Sequence, residues 1–189
     1  YVTALGAAPL SVGAVALPVR YGIEVVDLQP HFGEMNTAAS LFDAHPNAIV
    51  NVEIKCDLPD DRGLSVAVGQ LLTERRLGER VFVSSFNPLC LVRFARAFPA
   101  LSRGLLIDPD RAWLPQAYGW LPIVAKTSVH PHFSACTPAR VNAWHERHWQ
   151  VAAWTVDDPD EARSLRAMGV EWLITNQPAA MRAVLSGRL

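Results

Sequence analysis

Ala48-Ile49-Val50-Asn51-Val52-Glu53-Ile54-Lys55-Cys56 sets a carboxylate and an ammonium two residues apart inside a β-branched run. Side chains alternate across a strand, so Asn51, Glu53 and Lys55 share one face while Val50, Val52 and Ile54 share the other. Helices covering the apolar face would leave the polar one looking into a barrel mouth or cleft, a setting for metal or substrate chemistry. The alternative is an edge strand whose charges meet solvent and block edge-to-edge pairing.

Outward from this strand the chain keeps a rhythm of short β-branched runs and longer helical segments, the sign of parallel βα units. The spacing predicts strands at 48–56, 81–86, 103–107, 122–127, 150–156 and 170–175. Between them it predicts helices near 62–76, 87–98, 111–118, 137–148, 157–168 and 178–185, with Asn87-Pro88 and Thr137-Pro138 as starts and Gly169 as a stop. Six units over residues 48–189 fit an α/β fold of the (β/α)8 TIM-barrel type. No Gly-, Ser- or Pro-rich linker divides them, so the reading is one domain over 1–189, with 1–47 as an irregular lead-in.

Composition narrows the function. The 189 residues are 50% hydrophobic and 19% charged, with a formal charge of −1, which favours a well-buried globule and gives no general attraction for polyanions. Nucleic acid is therefore not expected as a partner. Cys56, Cys90 and Cys136 form no C-x-x-C and read as small buried hydrophobes. That usage fits a cytoplasmic protein, and a periplasmic or secreted one without disulfides is equally allowed. The uncharged stretch 1–19 contains Pro9 and Pro18 and lacks a basic n-region, so neither an integral membrane segment nor a signal peptide is expected.

Several stretches together resemble the glycerophosphodiester phosphodiesterase family, metal-dependent enzymes on a TIM barrel. They are Asn51-Val52-Glu53-Ile54-Lys55, Val83-Ser84-Ser85-Phe86, Trp154-Thr155-Val156-Asp157 and Gly169 through Pro178, in the family's order and spacing, with Phe32-Gly33-Glu34 and Ala38 to Phe42 leading in. The resemblance implies hydrolysis of glycerophosphodiesters, small-molecule substrates, to glycerol 3-phosphate and an alcohol with a divalent cation, Mg²⁺ or Ca²⁺. It implies Glu53 as a metal ligand, Lys55 near the phosphate and Trp154 as an apolar wall for glycerol, with Phe86 and Lys126 as further substrate-binding candidates. Core roles are the alternatives for Trp154 and Phe86, and Lys126 has a snorkelling role as its own.

By the same resemblance the six strands are strands three to eight. The family's His-Arg-Gly motif, its Glu-x-Asp metal pair and its second catalytic histidine fall before them. Residues 1–47 offer no equivalent of either histidine, and only Asp27 and Gln29 faintly match the metal pair. The expectation is a piece of a larger parent with strands one and two missing and no catalytic residue readable. Of the visible histidines, His130 follows a predicted strand and is the better candidate, while His145 and His148 read as a solvated helix face. Two rival readings remain: a non-catalytic binding or scaffold relative, and a barrel glycoside hydrolase pairing Glu53 with Glu171.

Overall fold

A computed structural model describes residues 2–3, 9–10, 15–18, 49–55, 59–110 and 114–186. Six parallel strands follow one another in sheet order: β4 (Val50–Glu53), β5 (Val81–Ser85), β6 (Ser102–Ile107), β7 (Ser128–Pro131), β8 (Gln150–Ala153) and β9 (Trp172–Thr175). They alternate with α1 (Leu64–Glu74), α2 (Pro88–Ala97), α3 (Leu114–Val124), α4 (Pro138–His145), α5 (Pro159–Met168) and α6 (Pro178–Leu185). Earlier in the chain, β1 (Val2–Thr3) pairs with β2 (Pro9–Leu10), and β3 (Val15–Pro18) pairs antiparallel with β9. β3 also approaches β4, so it stands between the two outer edges of the parallel run. The remainder of the expected lead-in, including Asp27, Gln29 and the 32–42 stretch, lies outside the described residues, as does Cys56.

The parallel register sorts the side chains into two sets. Val83, Leu105, Val129, Val151 and Leu173 face outward into one apolar core with the helices and are all fully buried. The opposite face carries Asn51, Glu53, Phe82, Ser84, Gly104, Ser128, His130, Ala152 and Trp172, because register partners share a face. The sheet is curled about this second face. Phe82 meets Trp172, four strands away, with ring centroids 5.9 Å apart, and meets His130 edge to face at 5.3 Å.

Helix starts follow local chemistry. The Asn87 side chain accepts from the N–H groups of Leu89 and Cys90, Thr137 from Arg140, and Asp158 from Asp160 and Glu161, each with proline next in the chain. α5 closes on Gly169, whose φ of 92° is a left-handed stop. Cys90 and Cys136 are buried thiols outside any disulfide among the described residues, and the Cys90 thiol donates to Asp61 Oδ2 at 3.5 Å. No helix among the described residues is long and apolar enough to cross a membrane.

One unit departs from expectation. The 122–127 run is no strand: α3 continues through Val124 and β7 follows at Ser128–Pro131. Leu121, Val124 and Ala125 are buried while Pro122, Ile123 and Lys126 are exposed, a helical and not an alternating pattern. The true strand is masked in sequence by its interior-facing Ser128 and His130 and by the closing Pro131, which together look like a loop. His130 consequently lies within a strand and not after one.

Gly104 sits where the interior is tightest. A Cβ there would lie 2.6 Å from the His130 imidazole and 2.7 Å from Ser128 Oγ. Gly104→Ala should therefore lower stability by about 1–3 kcal/mol through overpacking, measured as a shift in urea midpoint.

Candidate functional site at the strand C-terminal ends

In parallel βα units the loops at the carboxyl ends of the strands can vary without disturbing the core, and chemistry collects there. Glu53 ends β4 on the interior face, opposite Ser84. Its strand is pinned at this end: Ser84 Oγ donates to Asn51 Oδ1 at 2.8 Å, Ser85 Oγ donates to the Ile54 carbonyl at 2.7 Å, and the Ile54 N–H donates to the Ser84 carbonyl. Ile54 is fully buried on the helix side, while Lys55, one residue on, is exposed.

Across the mouth an aromatic group assembles. Phe86, just past β5, meets Trp154, just past β8, edge to face at 5.3 Å, although three strand steps separate them. Trp154 is held by its own indole N–H, which donates to the His130 carbonyl at 2.7 Å. His132 joins from the end of β7, with its ring 5.1 Å from that of Trp154 and its backbone bridged to it in parallel. Beneath them Leu106 and His130 are buried.

The loop after β8 is fixed by Asp157. Oδ1 accepts from Thr175 Oγ1 and the Asn176 N–H, and Oδ2 from the Asn176 amide. Burial pushes this carboxyl upward, but the Asn176 and Thr175 hydrogen bonds outweigh it and hold it below the usual carboxylate range. Asp157 thus ties the mouth ends of β8 and β9 together, whereas its neighbour Asp158 only caps α5.

Sequence-selected residues divide between the two ends of the barrel. Glu53, Lys55, Phe86 and Trp154 all stand at the mouth. Lys126 does not: it precedes β7, and its ammonium donates to the carbonyls of Pro99 and Ala100 at 2.8 and 2.7 Å. There it staples the loop before β6, at the opposite end. Glu171 lies at that end too, before β9, with Oε2 accepting from the Val151 N–H and an ion pair to His145. A glycosidase pair of Glu53 and Glu171 is therefore corrected, because two acids at opposite ends of the strands cannot flank one bond. His145 is tied to Glu171, and among the described residues no group of three metal-ligating side chains stands together.

Two mouth residues went unselected in sequence. His132 is one of two histidines flanking Pro131, and Asp108 follows β6 with Oδ1 accepting from the Asp110 N–H. Each continues an interior line, Gly104 and Leu106 to Asp108, and Ser128 and His130 to His132, and the second line is hidden in sequence because β7 itself is.

His130 is the interior's buried base. It is fully buried, its Nε2 is 2.9 Å from Ser128 Oγ, and its Nδ1 has no hydrogen-bond partner among the described residues. Below it a cavity of about 430 Å³ opens at the strand amino ends, lined by Phe82, Ser128, Gln150 and Trp172 among others. Burial lowers the His130 pKa from 6.5 to about 3, so the ring stays neutral in the folded chain.

Fold and mouth together define a parallel (β/α)-barrel protein with its polar and aromatic site at the carboxyl ends of the strands. The profile of the glycerophosphoryl diester phosphodiesterase family matches residues 26–180, and the chain belongs to that family. It is 30% identical over 172 residues to the Mycobacterium tuberculosis protein named Probable glycerophosphodiester phosphodiesterase 2, covering 80% of this chain and 60% of that one. Against the glycerophosphodiester phosphodiesterase of Caldanaerobacter subterraneus it is 27% identical, covering 70% of this chain and 54% of the relative. The chain thus spans little more than half the length of these relatives. A Parabacteroides distasonis glycerophosphodiester phosphodiesterase crystal structure shares the fold at a TM-score of 0.63 and 23% identity, covering 75% of this chain and 59% of that one. An Oleispira antarctica phosphodiesterase, solved with the product sn-glycerol-3-phosphate, does so at a TM-score of 0.53 and 20% identity, with coverages of 72% and 54%.

The buried imidazole sets an acid limit. The unfolded chain takes up a proton at His130 near pH 6.5 while the folded chain does not until about pH 3, so stability is full above 6.5 and falls as pH drops toward 3. Between pH 6.5 and 4.5 this is about 2–3 kcal/mol. Urea midpoints across that window should fall more steeply for the wild type than for His130→Gln.

Proposed function

We propose that the chain forms one side of the active site of a phosphodiesterase that hydrolyses glycerophosphodiesters to glycerol 3-phosphate and an alcohol. The observation carrying this reading is that one end of the barrel holds Glu53, the last residue of β4, and Lys55 two residues beyond it, together with an apolar wall of Trp154 and Phe86. An anionic diester with a short polyol arm needs that pairing of charge and ring. Family membership and the relatives' names support it, and the glycerol 3-phosphate bound by the Oleispira relative is the product it would release.

In the reaction water adds to phosphorus, the bond from phosphorus to the alcohol oxygen breaks, and that oxygen receives a proton. Lys55 would neutralise charge on the nonbridging oxygens, and Trp154 with Phe86 would seat glycerol and exclude water from its carbon chain. The resemblance assigns the acid and base to the family's two histidine motifs, neither of which has an equivalent in residues 1–189. Glu53 would occupy one oxygen position of a divalent cation, Mg²⁺ or Ca²⁺. Such a cation supplies polarisation of the phosphoryl oxygens when bound. Among the described residues no group of three metal-ligating side chains stands together, so Glu53 would be one ligand and the others would have to be supplied from outside them.

The test uses the full chain as its gene encodes it, with Mg²⁺ or Ca²⁺ and sn-glycero-3-phosphocholine, and measures glycerol 3-phosphate released. Glu53→Gln should lose about 100-fold or more in turnover. Trp154→Ala should raise KM about tenfold, and Lys126→Met should leave kcat/KM within about twofold, as a loop staple would. A folded wild type without turnover in either cation would overturn the reading in favour of a binding or scaffold relative.

A further inference from the structure

His132 continues the interior line of β7 two residues beyond His130, but it is only part-buried and stands at the mouth. Its backbone is fixed from both sides. The His132 N–H donates to the Ile107 carbonyl at 2.7 Å, and the Phe133 N–H donates to the Trp154 carbonyl at 2.7 Å. The ring is fixed as well, edge to face with Trp154 and against Phe133 at 4.4 Å.

Its nitrogens have different tasks. Nδ1 turns back into its own loop, where it accepts from the Ser134 N–H at 3.3 Å, with Ser134 Oγ at 2.7 Å. A backbone N–H can only donate, so Nδ1 presents a lone pair and the neutral ring carries its hydrogen on Nε2. The outcome is a ring whose Nδ1 turns into its own loop and whose Nε2 has no hydrogen-bond partner among the described residues.

We propose that His132 is a specificity-determining residue that donates, through Nε2–H, to a hydroxyl oxygen of the glycerol half of the diester. The inference rests on the phosphodiesterase reading and deepens it. Glu53 and Lys55 serve the phosphate from the end of β4 and the residues just past it, whereas the His132 ring meets Trp154, the ring that walls the glycerol. A polyol lying on an aromatic face keeps its hydroxyls at the ring's rim, where a preset donor meets an oxygen acceptor. The site would then prefer a diester with a hydroxylated arm over one without.

Two variants of the full chain separate this role from packing. His132→Phe keeps a ring against Trp154 and removes the donor, and His132→Gln restores an N–H. Expected for His132→Phe is about a tenfold fall in kcat/KM on sn-glycero-3-phosphocholine, mostly through KM, with less than about a twofold change on bis(4-nitrophenyl) phosphate, which has no glycerol. The Gln variant should recover part of the loss. Equal losses on both substrates, or none on either, would overturn the proposal.

A second readout needs no turnover. Long-range ¹H–¹⁵N spectra of the His132 ring should show hydrogen on Nε2 and a shift on adding sn-glycerol 3-phosphate that inorganic phosphate does not produce. Hydrogen on Nδ1, or an equal response to both, would also overturn it. A selective response in a protein that hydrolyses neither diester would refute the catalytic reading and leave the role of His132 standing.

Discussion

Everything in this molecule depends on the register of six parallel strands, because it decides which side chains meet the helices and which meet the axis. Parallel neighbours hold register partners on the same face, so Val83, Leu105, Val129, Val151 and Leu173 form one apolar sheet surface, interrupted by the buried Ser85, Arg103 and Thr175. Those buried surfaces supply most of the drive to fold. The other face is thereby released from core duty, and it carries serine, histidine, carboxylate and large rings instead. A one-residue slip in any strand would exchange the two sets, which is a strong reason for the register to be unique.

The interior face is graded along the axis. At the amino ends, Phe82, His130 and Trp172 pack by their edges over a cavity, with Gly104 giving the imidazole its room. At the carboxyl ends, Phe86, His132 and Trp154 form an aromatic wall at the same end of the sheet as Glu53, the last residue of β4. Two histidines two residues apart thus serve different environments: His130 is neutral because water is excluded from it, while His132 is oriented by a loop that water reaches.

The sequence made the barrel legible wherever the helix-facing residues were apolar and the loops carried caps. Asn87-Pro88, Thr137-Pro138, Asp158-Pro159 and Gly169 marked helix ends because their chemistry is local. β7 was hidden because its interior residues are polar and its last residue is proline, while Leu121 to Val124 imitated a strand by being continuously apolar. Lys126 was misplaced for the same reason, since an error in strand position moves a side chain from one end of the barrel to the other. Glu53, Lys55, Phe86 and Trp154 could be picked out because each ends a strand that was read with the right polarity. His132 and Asp108 could not, because what they do depends on rings and loops that meet only in three dimensions.

The Trp154 indole hangs from the carbonyl of His130, a main-chain atom. Its attitude is therefore tied to the path of β7 as well as to the Phe86 and His132 rings against it. Exchange of the side chains around the ring would leave that main-chain tether in place, so the indole keeps one inherited fixed point while its surroundings change.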